Sequence, residues 1–168
     1  MIPGQMIQLL PFQRRHVAQT LIWANDAELS YFLDRPRPVA ELEHEQWYSQ
    51  LHLDRQQVYW AVESLKPDPQ HLGNVWLSQI DWRHRKAELR ILIAHRPQPG
   101  IGTETIRLAC QYGFERLNLH KIYAYVLDVN PRARRAFEKA GFEVEGTLKA
   151  DRWVNDAYHD VYLLGLIK

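Results

Sequence analysis

The run Pro97-Gln98-Pro99-Gly100-Ile101-Gly102-Thr103-Glu104, continuing to Leu117, decides how the rest of this chain is read. The prolines end the segment before them, and Ile106, Cys110, Gly113, Phe114 and Leu117 then fall along one stripe of an amphipathic helix from Thr103 to Leu117. Just upstream, Lys86 to Ile93 reads as a strand. A strand that passes through a glycine turn into a helix exposes backbone N–H groups with no intrahelical acceptor, at a point where the helix dipole favours an anion. The same turn serves as often as a plain connection. It lacks the Gly-Lys-Ser/Thr ending of a phosphate-binding loop and the third glycine of the dinucleotide fingerprint, so neither of those nucleotide folds is implied.

Outward from this run the pattern is regular. Ile7 to Leu10 is a short strand stopped by Pro11, and Arg14 to Trp23 carries Val17, Leu21 and Ile22 at helical spacing. A proline-broken loop at Asp34 to Val39 feeds a second helix, Glu41 to Leu51. Val58 to Glu63, Leu72 to Ile80 and Lys86 to Ile93 are rich in aromatic and β-branched residues and form an antiparallel meander. Past the central helix, Lys121 to Val126 alternates as a strand, and Asn130-Pro131 opens a helix that stops at Gly141. Phe142 to Leu148 and Tyr158 to Ile167 add two strands joined by a polar connection. The predicted order is β-α-α-β-β-β-α-β-α-β-β.

Composition narrows the function classes. The 168 residues carry 21 Lys and Arg against 20 Asp and Glu, a net charge of +1, which lacks the basic excess of a domain that grips nucleic acid phosphates. The single cysteine, Cys110, excludes an internal disulfide and any four-cysteine zinc site. The eight histidines include no His-x-x-x-His pair, so no metal is expected. No apolar stretch is long enough to span a membrane, and Met1 to Gln8 lacks a basic region followed by an apolar one; a cytoplasmic location is expected.

Pro99 to Glu104, Tyr112-Gly113-Phe114, Asn130, Glu138-Lys139-Ala140-Gly141-Phe142, Glu145-Gly146 and Asp160 together resemble the GNAT superfamily of acetyl-CoA-dependent N-acetyltransferases, specifically its ribosomal-protein N-terminal acetyltransferase branch. The resemblance spans nearly all of residues 1–168, read as one domain. It implies an α/β (α+β) fold: a bent mixed sheet of about seven strands, splayed between the fourth and fifth, flanked by about four helices. In that gap acetyl-CoA would meet Ile91, Leu92 and Ile93 along its pantetheine arm and Gly100, Ile101, Gly102 and Thr103 at its pyrophosphate, with Asn130 and Arg134 as further contacts. The chain departs from the family pattern at Pro97, and it has Phe137 and Ala133 where a proton donor for the departing thiolate is usual. Tyr123, Tyr158 and Tyr162 are the alternatives for that role.

An amine acceptor arrives protonated, so a base is required. The resemblance points to Glu88, in Ala87-Glu88-Leu89-Arg90; the competing reading is a solvated carboxylate paired with Arg90 or Lys86. It also places Trp23, Asn25, His44 and Trp47 at the acceptor cleft, although both tryptophans and His44 read equally well as packing residues. The implied reaction is acetyl transfer to a primary amine of a protein N-terminus, an amino sugar or a small amine, by direct attack in a ternary complex. The alternative is a non-catalytic acyl-CoA-binding or regulatory domain. The near-neutral charge disfavours a strongly polycationic acceptor. No nucleic acid or membrane partner is expected, and the chain is expected to be a monomer or homodimer.

Overall fold

The computed structural model describes residues 1–32, 38–94 and 98–168. Positions 34–37 of the proline-broken loop and the departure at Pro97 lie outside the described residues. Among those described, the order is β1 (Ile2–Pro3), β2 (Ile7–Pro11), α1 (Arg14–Ala24), α2 (Ala27–Phe32), α3 (Glu41–Leu51), β3 (Val58–Ser64), β4 (His71–Asp81), β5 (Lys86–Ile93), α4 (Ile101–Glu115), β6 (Lys121–Leu127), α5 (Pro131–Lys139), β7 (Glu143–Val154) and β8 (Ala157–Ile167). The strands form one mixed sheet in the order β1-β2-β3-β4-β5-β6-β8-β7. All pairings are antiparallel except β5 with β6, which α4 connects. The expected mixed α/β sheet is present, with one more strand and one more helix than the periodicity shows.

Each face of the sheet is covered because the strands alternate. Leu77, Leu89, Ile122 and Val126 point to one side and pack against Ile106, Ala109 and Cys110 of α4 and Phe137 of α5. Burial pushes the Cys110 thiol well above its ordinary value, which suits packing rather than nucleophilic chemistry. On the opposite side, α1 and α3 close over Phe12, Val17, Leu51 and Ala61, while Trp23 packs with Trp76, Leu92 and Ala94. The glutamate that ends the glycine-turn motif, Glu104, accepts hydrogen bonds from the backbone N–H groups of Gln5 and Met6 and so ties the β1–β2 turn to α4.

The feature that positions a site is the parting of β5 and β6. They pair only at Lys86–Lys121, Ala87–Ile122 and Glu88–Tyr123. Beyond Glu88, β5 continues against β4 as far as Ile93, and β6 continues against β8 as far as Leu127. Each strand follows its own partner, and the right-handed twist of the two pairs carries them apart.

Gly73 fixes the β4 side of this gap. A Cβ there would lie 2.1 Å from the Leu92 carbonyl oxygen and 2.9 Å from the Ile93 Cα, and backbone cannot yield as a side chain can. Gly73→Ala is expected to cost about 2–3 kcal/mol of stability, read as a lower urea midpoint at unchanged slope.

The C-terminal hairpin differs from expectation. The polar connection after Leu148 is in fact strand: β7 reaches Val154 and turns back through Asn155 and Asp156, whose φ values of 46° and 59° suit a tight hairpin turn. A bulge between Leu148 and Arg152 interrupts the pairing, with Ala150 at φ 48°. Asp160 holds it, accepting from the Ala150 N–H at 2.9 Å and from Lys149 Nζ at 2.6 Å. These two donors keep the Asp160 carboxyl below its ordinary value, Lys149 contributing more.

Candidate active site

A cleft of about 660 Å³ opens where β5 and β6 part. Its floor is the divergent pair itself, Glu88 to Ile93 on β5 and Tyr125 to Leu127 on β6. One end is closed by Gly100, Gly102 and Thr103, and the walls include Asn130, which caps α5, with Arg132, Arg135 and Phe137 of α5, then Asp26, Glu28 and Leu29 at the start of α2, and Arg152 and Val154 of β7. Beyond Glu88, the N–H and C=O groups on the gap side of β5 have no β6 partner, so an extended ligand can take the place of a neighbouring strand.

The glycine turn leaves backbone N–H groups without intrahelical acceptors. Gly100 caps α4 in the left-handed region, at φ 100°, where a side chain would be strained. The amides of Gly102 and Thr103 precede the first i to i−4 bond, which runs from the Glu104 N–H to the Gly100 carbonyl at 2.9 Å. At Gly102 a Cβ would meet only the Ala136 Cβ, at 3.9 Å, which is ordinary contact. The fold does not require glycine there. The space that its missing side chain leaves open belongs to the cleft.

The cleft lining carries both signs of charge: Arg132, Arg135 and Lys139 of α5, Arg90 of β5 and Arg152 of β7 are basic, and Asp26, Glu28 and Glu88 are acidic. Glu88 is only 4% exposed, on the last paired residue of β5, opposite Ser78 on one side and Tyr123 on the other. Its Oε1 accepts from Arg90 Nε at 2.8 Å. The Tyr123 phenol is raised above its ordinary value, chiefly by burial and then by the nearby Glu88 charge, which makes it a weaker proton donor.

Of the residues singled out in the sequence, Glu88, Ile91, Leu92, Ile93, Gly100, Gly102, Thr103 and Asn130 line this cleft. The Asn130 side chain also has a structural task, accepting from the Ala133 N–H at 3.0 Å as the cap of α5. Ile101 faces the core beneath the turn. Arg134 does not line the cleft: it points to the other side of α5, bonded to Glu138 at 2.8 Å and lying 4.5 Å over the Tyr162 ring. Helical spacing separates it from Arg132, Arg135 and Lys139, which share the cleft side.

Trp23, Asn25, His44 and Trp47 are also outside the lining. Trp23 is buried one layer behind Leu29 and Leu92, which do line it. Asn25 pins the returning chain, bonding the Val39 N–H at 2.8 Å and its carbonyl at 3.0 Å. His44 is buried with Nε2 3.1 Å from the Val17 carbonyl and stacks on Trp47, joining α3 to α1. Among the tyrosines, Tyr158 meets Trp153 edge to face near the hairpin tip and Tyr162 lies under Arg134, whereas Tyr125, which the sequence reading missed, is in the cleft. Its membership in the Tyr123/Tyr125 pair on one strand face was the available signal. Phe137 is buried against Phe142, with ring centroids 5.0 Å apart.

The family model described as acetyltransferase (GNAT) domain matches residues 7–143. Spermidine N(1)-acetyltransferase of Vibrio cholerae is 34% identical over 134 residues, 79% of this chain and 76% of that protein. The crystal structure of spermidine N-acetyltransferase from Vibrio cholerae in complex with CoA and spermine superposes with a TM-score of 0.87 at 28% identity, covering 96% of this chain and 95% of the other. A dodecameric structure of the same organism's enzyme gives 0.81 at 30% identity, covering 96% and 93%. These relatives do not support placement in the ribosomal-protein branch. The motifs behind that placement lie around the glycine turn, α5 and the bulge of β7, and carry little information about the acceptor.

Proposed function

The chain belongs to the GNAT family of N-acetyltransferases, and from that premise we propose that it moves the acetyl group of acetyl-CoA to a primary amine of a small polyamine of the spermidine class. The presence of basic and acidic side chains in one cleft carries this reading. A polyanionic donor needs cations and a cationic acceptor needs carboxylates, and both kinds of group line the gap between β5 and β6. The relatives' activity on spermidine supports it. The net charge of +1, read in isolation as disfavouring a polycation, averages over the basic and acidic lining residues and so hides both. The dodecamer of the Vibrio cholerae relative widens the expected monomer or homodimer to include a larger homo-oligomer.

The residues present fit the donor. Gly102 leaves a cradle that a Cβ would fill, beside the unpaired Gly102 and Thr103 amides, which suits a pyrophosphate. Arg135 and Lys139 stand on the adjacent wall for further phosphate, and the free edge of β5 from Leu89 to Ile93 can hydrogen-bond an amide-bearing arm. When bound, acetyl-CoA supplies an activated acyl thioester. Glu88 takes the proton of the acceptor ammonium through water, at the point where the strands part. Backbone N–H groups of β5 orient and polarise the acyl carbonyl. Phe137 has no proton to give, and Tyr125 is the one phenol among the described lining residues available to the leaving sulfur.

The test is CoA binding by calorimetry, followed by thiol release with spermidine, spermine, amino sugars and N-terminal peptides. Release confined to the polyamines supports the reading, and release confined to another class replaces the acceptor. Arg135→Ala with Lys139→Ala is expected to weaken CoA binding about 10- to 100-fold and to flatten its salt dependence, while spermidine KM at saturating donor changes little.

A further inference from the structure

Glu88 and Arg90 leave the same face of β5, and both line the cleft. They are unequal partners. The Glu88 side chain is 6% exposed and fixed by the strands on either side, whereas the Arg90 side chain is 50% exposed on a long flexible stem. One guanidinium N–H, that of Nε, donates to Glu88 Oε1 at 2.8 Å. A buried carboxylate is costly without a counter-ion, so this contact stabilises Glu88 in the free enzyme. It also puts a cation where the acceptor's ammonium must come.

We propose that Arg90 determines acceptor specificity as the resident counter-ion of Glu88, which the incoming ammonium displaces. This rests on the reading of Glu88 as the group that receives the amine. Displacement exchanges one cation for another, so a monoamine gains little from reaching Glu88. A polyamine gains from its remaining charges, because Asp26 and Glu28 line the same cleft. Asp26 is held in place there, its Oδ1 accepting from the N–H groups of Glu28 and Leu29 at 3.0 and 2.9 Å. The half-exposed guanidinium can swing into water without leaving a buried charge behind. Arg90 thus acts as a filter that favours acceptors with two or more ammonium groups.

The experiment compares n-butylamine and spermidine as acceptors for the native enzyme, Arg90→Gln and Arg90→Lys, with CoA affinity measured on each to show that the fold is intact. In Arg90→Gln the butylamine KM is expected to fall about three- to tenfold, or butylamine turnover to appear where the native enzyme has none, with a smaller change for spermidine. Arg90→Lys, which keeps the charge, is expected to restore discrimination. An unchanged or raised butylamine KM in Arg90→Gln, with CoA affinity retained, overturns the proposal. Glu88→Gln separates the two layers: full turnover in that variant overturns both the Glu88 reading and this one, whereas an inactive Glu88→Gln beside an Arg90→Gln without effect overturns this one alone.

Discussion

Glu88→Gln is expected to lower kcat by about 10²- to 10⁴-fold while CoA binds as before, because the variant keeps the shape of the side chain and removes its capacity to accept a proton. The glutamine oxygen can still accept from Arg90 Nε, so the local packing is preserved. Of the two roles open to this residue in the sequence, ion pairing with Arg90 is present, but the carboxylate is buried rather than solvated. A burial of that depth, at the last paired residue before a cleft, suits a group that works on a bound molecule. Steady-state rates with spermidine across pH 6–9, set beside calorimetric CoA affinity, give the answer; a kcat within threefold of the native value removes Glu88 from the mechanism.

Gly102→Ala is the second large effect, and stability and binding should move in opposite directions. The added Cβ makes only an ordinary contact with Ala136, and alanine in the first turn of α4 is favoured over glycine by about 0.5–1 kcal/mol. The urea midpoint is therefore expected to hold or rise. The same methyl group occupies the cradle beside the Gly102 and Thr103 amides, and CoA affinity is expected to fall tenfold or more. Glycine at a position where the fold tolerates a side chain is best explained by a ligand that comes close. Undiminished CoA affinity in Gly102→Ala would place the pyrophosphate elsewhere in the cleft.

Several elements could be found in the sequence because their physics is local. The alternation in Lys121 to Val126, the stripe along Thr103 to Leu117 and the Asn-Pro start of α5 each depend on neighbours within a turn or two. The missed elements lack such a signature. β1 is two residues long, α2 is six, and the part of β7 beyond Leu148 runs along the sheet edge, mostly exposed, so it shows no apolar alternation. The Asn155-Asp156 pair was a readable hairpin signal, but the strand leading to it, interrupted by the Asp160-held bulge, was not.

The candidate site divides in the same way. The glycine turn and the β5 segment from Glu88 to Ile93 were identifiable because helix starts and strand edges expose backbone groups wherever they occur. Choosing among the four arginines and lysines of α5 was not, since Arg134 and Arg135 differ by one residue and only packing against the sheet decides which side faces the cleft. Trp23, His44 and Trp47 are the kinds of residue that line acceptor sites, yet their rings fill the space between α1, α3 and the sheet. By itself, the sequence determined the order of the main elements and the glycine turn that opens α4, because propensity, capping and periodicity act over a few residues. The tertiary structure alone decided which charges share a cleft, because Glu88, Arg90, Arg135 and Asp26 come from segments whose meeting depends on where two strands part.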